Sequence, residues 1–85
     1  MFSKEIFGSR LRQIRKKNQE SQAEAGAVLG GTATLISDME KGRRTTTLDK
    51  LAQLAQHYNV SADYLLGLTD EPRPLTKDEK SEETI

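Results

Sequence analysis

The stretch that most limits what this chain can become is Ser21 to Gly42, SQAEAGAVLGGTATLISDMEKG. Ser21-Gln22-Ala23-Glu24 has the spacing of a capping box, in which the serine accepts from a backbone N–H and the glutamate reaches back. It predicts a helix running to about Leu29 that buries Ala25, Val28 and Leu29. Gly30-Gly31 ends it, because glycine takes positive φ without a Cβ penalty. Thr32 then caps a further helix that ends near Lys41-Gly42. At roughly 100° per residue, Leu35, Ile36 and Met39 share one side of it. Ala33, Thr34, Ser37 and Asp38 share the other, with Lys41 beside them. The unit is two short helices about a glycine turn, the second with one apolar and one small polar face.

The flanking sequence supplies a scaffold. Phe2 to Lys17 predicts a first helix, with Phe7, Leu11 and Ile14 at i, i+4 and i+7. Ser3 caps its start, Glu5 suits its first turn, and Arg15, Lys16 and Lys17 suit the negative end of its dipole. Asn18 is the expected left-handed terminator. Thr47 caps a fourth helix whose buried stripe is Leu48, Leu51, Ala52, Ala55 and Tyr58, stopped at Asn59. Ser61 caps a short fifth helix carrying Tyr64, Leu65 and Leu68. Five helices and no strand predict a compact all-α domain over 1–69. From Asp70 the chain becomes charged and holds Pro72 and Pro74, so 70–85 reads as a flexible acidic tail.

Composition narrows the function. There is no cysteine, hence no disulfide, thiolate metal site or thiol nucleophile. The lone His57 reads as a helix-end surface residue and makes no metal cluster, which takes three or four ligands. No glycine loop suits phosphates and no carboxylate pair marks a cleft, so the chain reads as no enzyme, with no catalytic residue, metal or cofactor. No apolar run nears the ~20 residues of a membrane span, and no signal segment follows Met1. A soluble cytoplasmic protein with no membrane partner is expected. The formal net charge of zero hides an asymmetry. Residues 1–69 hold ten basic and seven acidic side chains, whereas 70–85 hold three and six.

The spread of motifs resembles the helix-turn-helix of the Cro/C1 type, the phage-repressor or xenobiotic response element family. The matching residues are Leu11, Arg12 and Arg15, then Ser21-Gln22, Leu29-Gly30, Ile36-Ser37, Met39-Glu40 and Gly42. Thr47-Leu48, Leu51, Val60-Ser61 and Leu65-Leu66-Gly67 follow in register, so the likeness covers about residues 7 to 69. It implies a five-helix, lambda-repressor-like DNA-binding domain with its helix-turn-helix at about 22–41. The third helix, about 33–41, would be the recognition helix, with its N-terminal half in the major groove. Thr32, Ala33, Thr34, Ser37 and Asp38 would then face base edges, and Lys41, Arg43 and Arg44 the phosphates. Gln22 corresponds to a position that touches the DNA backbone. Arg15 and Glu40 match an ion pair that fixes the recognition helix to the first helix.

The chain departs from that family in places. Gln19 stands where a glycine commonly ends the first helix, and Glu20 where an apolar residue packs. Ala25, Gly26 and Gly31 replace a leucine, an alanine and an apolar residue, which predicts a marginally stable second helix and turn. The reading face lacks the Arg, Asn or Gln that give strong base contacts. The function implied is a sequence-specific transcriptional regulator, a repressor on a palindromic double-stranded operator. It would act as a homodimer joined through Tyr64, Leu65, Leu66 and Leu68. The competing reading is a protein-interaction module, such as an antitoxin or anti-repressor partner, with DNA binding secondary.

Overall fold

A computed structural model describes residues 2–74; the expectation of a flexible tail falls largely outside them, at 75–85. The described chain forms α1 (Lys4–Lys17), α2 (Gln22–Val28), α3 (Ala33–Glu40), α4 (Leu48–Tyr58) and α5 (Ala62–Leu66), and no strand among the described residues.

Each helix starts on a hydroxyl. Ser3, Ser21, Thr32, Thr47 and Ser61 accept from the backbone N–H three residues on, and at Ser21 the capping box with Glu24 is complete. Such caps contribute about 1 kcal/mol each, which matters for helices of five to eight residues that are marginal alone. The helices also end alike, on a left-handed residue at Gln19, Gly30, Gly42, Asn59 and Gly67. At each end the next N–H reaches back to an orphan carbonyl: Glu20 to Arg15, Gly31 to Gly26, Arg43 to Asp38, Val60 to Ala55, Leu68 to Asp63. Asn18, expected to be the left-handed stop of α1, has φ −90° instead and donates its side-chain amide to the Ile14 carbonyl at 2.8 Å. Gln19 takes the turn.

One core joins all five helices: Phe7, Leu11 and Ile14; Ala25 and Leu29; Ile36 and Met39; Leu51, Leu54 and Tyr58; Leu65. The stripe of α4 differs from expectation. Leu54, three residues beyond Leu51, is fully buried, whereas Leu48 is 84% exposed and Ala52 is exposed. Leu48 opens the helix, and a Cα–Cβ bond tilts toward the N-terminus. Its side chain therefore projects past the helix end into solvent. Leu65 is also fully buried, so it is core and contributes nothing to a dimer surface; Leu68, at 70% exposure, lies outside the core.

Two glycines set how closely α3 is held. A Cβ on Gly8 would collide with the carbonyl oxygens of Met39 and Glu40, the latter at 2.8 Å. A Cβ on Gly26 would lie 2.5 Å from the Thr32 carbonyl oxygen. Gly26 thus costs helix propensity within α2 but lets the start of α3 close on it. Its departure from alanine is part of how the turn is built.

Candidate nucleic-acid interface

α3 has an inner and an outer flank. Ile36 and Met39 are fully buried on the inner one and Leu35 half-buried. Its last residue is pinned: Arg15 donates from Nε to Glu40 Oε2 at 2.6 Å and from Nη2 to Oε1 at 3.1 Å. Both side chains are nearly buried, 9% and 4% exposed. A two-pronged guanidinium–carboxylate contact fixes orientation as well as distance. The hydrogen bonding to the Glu40 carboxylate outweighs burial and raises the Arg15 pKa, so the guanidinium stays charged. The third prong, Nη1, donates to the Glu20 carbonyl at 2.7 Å and ties in the turn before α2.

The Glu20 side chain faces the other way. It accepts from the Tyr58 hydroxyl at 2.7 Å and lies 2.6 Å from His57 Nε2. Burial alone pushes the Glu20 carboxyl up, but the hydrogen bonds from Tyr58 and His57, with the charges of His57 and Arg15, bring it below its ordinary value. Burial and the same carboxylate push the Tyr58 phenol well up. Sequence reasoning missed this cluster. The available signals were an acid at a position that is apolar in the family and a core tyrosine whose hydroxyl needed a partner.

On the outer flank Thr34 is exposed, and Ala33, Ser37 and Asp38 are half-buried. Lys41, the C-cap of α3, and Arg43 and Arg44 just beyond it are exposed. Among the described residues the side chains of Thr34, Ser37, Asp38, Lys41, Arg43 and Arg44 have no hydrogen-bond or ion-pair partner. Thr32 accepts one hydrogen bond from Leu35 N at 3.4 Å, leaving a second lone pair and its hydroxyl hydrogen available. Gln22 opens α2, half-buried, and its Nε2 donates to Glu40 Oε1 at 3.2 Å. The structure therefore links Gln22 to the Arg15–Glu40 pair and Thr32 to the start of α3, and leaves Thr34, Ser37, Asp38, Lys41, Arg43 and Arg44 without a side-chain partner among the described residues.

Two clefts of the molecule lie away from this surface. A cleft of about 390 Å³ is lined by Ile14, Asn18, Tyr58, Tyr64 and Pro72 among others, and a second by Ile6, Arg10 and Asp70; neither includes a residue of α2 or α3. Among the described residues no group of three or more His, Asp or Glu is placed to hold a metal ion. No described helix is long and apolar enough to cross a membrane.

A helix-turn-helix domain family model matches residues 6–73. The chain belongs to that family, in its Cro/C1 form. It is 38% identical over 69 residues to the HTH-type transcriptional regulator YobD of Bacillus subtilis, covering 81% of this chain and 62% of that protein. It is 40% identical over 61 residues to the HTH-type transcriptional regulator ImmR of the same organism, covering 72% and 48%. Control protein C.BamHI of Bacillus amyloliquefaciens is 34% identical over 65 residues, covering 75% and 80%. The match thus spans about half to two thirds of the two B. subtilis proteins. No solved structure matches this chain.

Proposed function

We propose that this chain is a transcriptional regulator that reads duplex DNA by laying the outer flank of α3 in the major groove. The DNA-binding class follows from the family; the contact residues, the dimer and the sign of regulation are the finer part of the reading. The observation that carries it is the division of α3 itself. Its inner side and end are fixed by core and ion pair, while its outer side offers short polar groups with no partner among the described residues. Those groups face out, and Lys41, Arg43 and Arg44 follow them directly in the chain with exposed side chains.

Thr34 and Ala33 suit thymine methyls, Ser37 suits most base edges, and Asp38 suits a cytosine amino group. Lys41, Arg43 and Arg44 suit phosphates, which position without specifying. DNA shape contributes the remaining discrimination. Leu68, half-buried Leu66 and 44%-exposed Ile6, which packs on Gly67, offer the apolar contact for a second copy. Repression is the proposed sign, because occupying an operator needs only the groove contacts. Selection of bound fragments from random duplex DNA tests this. The expected result is an enriched palindrome with half-site centres about one turn, ~34 Å, apart. Recovery of no common sequence would contradict it.

A further inference from the structure

We infer that Glu40 is a positioning residue for a phosphate contact made by Gln22, in addition to being the anion of the buried pair. The inference rests on the reading of this face as the DNA surface.

The Glu40 carboxylate has three donors around it. Oε2 takes Arg15 Nε at 2.6 Å, and Oε1 is shared between Arg15 Nη2 at 3.1 Å and Gln22 Nε2 at 3.2 Å. A carboxylate only accepts, so the end of the Gln22 amide that faces it is the nitrogen and not the oxygen. That nitrogen carries a second N–H, which no described atom occupies. Phosphate oxygens also only accept, so the nitrogen is the useful end for DNA. Glu40 thus selects the amide orientation that a phosphate requires.

It also selects it in advance. A glutamine has three side-chain torsions, the last of them broad, and ordering them at an interface opposes binding. Gln22 is tethered in the free protein by a carboxylate that is itself locked in a two-pronged pair and only 4% exposed. Arg15 cancels the Glu40 charge locally, so the carboxylate orients the amide without presenting a bare anion to the DNA backbone. The shell is continuous: Arg15 also grips the Glu20 carbonyl at 2.7 Å, one residue before the Ser21 cap. Arg15 and Glu40 therefore fix both the main-chain entry to Gln22 and its side chain.

The test is a double-mutant cycle on affinity for a labelled random-sequence duplex, since phosphate contacts do not depend on sequence. Gln22→Ala should weaken binding by roughly tenfold, the scale of one charge-assisted hydrogen bond. The paired change Arg15→Met with Glu40→Met removes both charges together and keeps apolar volume, a replacement that buried pairs commonly tolerate. It should weaken binding clearly more in the wild-type background than when Gln22 is already alanine, the difference being the part that acts through Gln22. An equal loss in both backgrounds would show a merely structural role and overturn the inference. Should the paired variant fail to fold, side-chain ¹⁵N relaxation of the unsubstituted protein decides. A Gln22 amide as rigid as the backbone supports the tether, and a freely mobile one overturns it. If Gln22→Ala has no effect while Arg43→Ala weakens binding, the inference falls and the DNA-binding reading stands. If the unsubstituted protein binds no duplex at low salt, the reading falls with it.

Discussion

On its inner flank α3 carries Ile36 and Met39 with no exposed surface and a Glu40 held by two prongs of Arg15. On its outer flank the same helix carries Thr34, Ser37 and Asp38 with no partner among the described residues. The two flanks, a few ångströms apart, face opposite physical demands. The inner one determines stability and orientation, so changes there alter folding. The outer one contributes little to folding, which leaves its side chains free to answer to a ligand.

The largest effect expected is on the inner flank. Glu40→Ala leaves Arg15 charged in a nearly buried site, and should cost about 3–5 kcal/mol in urea denaturation. A loss under ~1 kcal/mol would show the pair to be energetically idle. On the outer flank Thr34→Ala and Ser37→Ala should stay within about 0.5 kcal/mol of the parent while changing DNA affinity. Comparable losses on both flanks would break the comparison.

Gly26→Ala should cost about 1–3 kcal/mol despite its better helix propensity, because the new methyl would meet the Thr32 carbonyl carbon at 2.7 Å. A stabilised variant would mean that the α2–α3 approach relaxes freely.

The Glu20 cluster ties the turn before α2 to the end of α4, and its signature is pH dependence. The folded Glu20 pKa lies below its ordinary 4.5, so its contribution is complete above that value and is lost as pH falls through the folded pKa. The folded Tyr58 pKa lies above its ordinary 10.0, so its contribution is complete below that value and is lost as pH rises through the folded pKa. In thermal melts across pH, Glu20→Gln should flatten the acid limb. An unchanged limb would remove Glu20 from the account.

A small gain in stability is expected at Gln19, a non-glycine residue at φ 58°. Gln19→Gly relieves the Cβ strain of the left-handed turn and should stabilise by about 0.5–1 kcal/mol in the same denaturation assay. A destabilised variant would show that the glutamine side chain earns its place through contacts.

What the sequence made legible was local. Each cap is a Ser or Thr directly before a periodic run, and the Ser21–Glu24 box lies within four residues, so the five helix starts could be placed from the chain alone. Errors came where the answer depends on distant residues. Leu48 and Leu54 lie six residues apart in α4, and only the packing around each decides which is buried. Leu65 looked available to a partner because its cover comes from other helices. The Glu20 contacts join a turn to residues 37 and 38 positions later, a separation that no periodicity encodes. The site divides in the same way. Its outer residues followed from register and family likeness, whereas the Gln22–Glu40 bond required coordinates.

The central claim is that the outer flank of α3 and the cations beyond it form a DNA surface, and the salt dependence of duplex binding tests it most directly. The logarithm of affinity should fall linearly with the logarithm of salt concentration, with a slope of about −0.9 per neutralised phosphate. Replacing Arg43 and Arg44 together by alanine should make that slope shallower by about two contacts without changing stability. A slope near zero for the unsubstituted protein, or one that the double substitution leaves unchanged, would contradict the account.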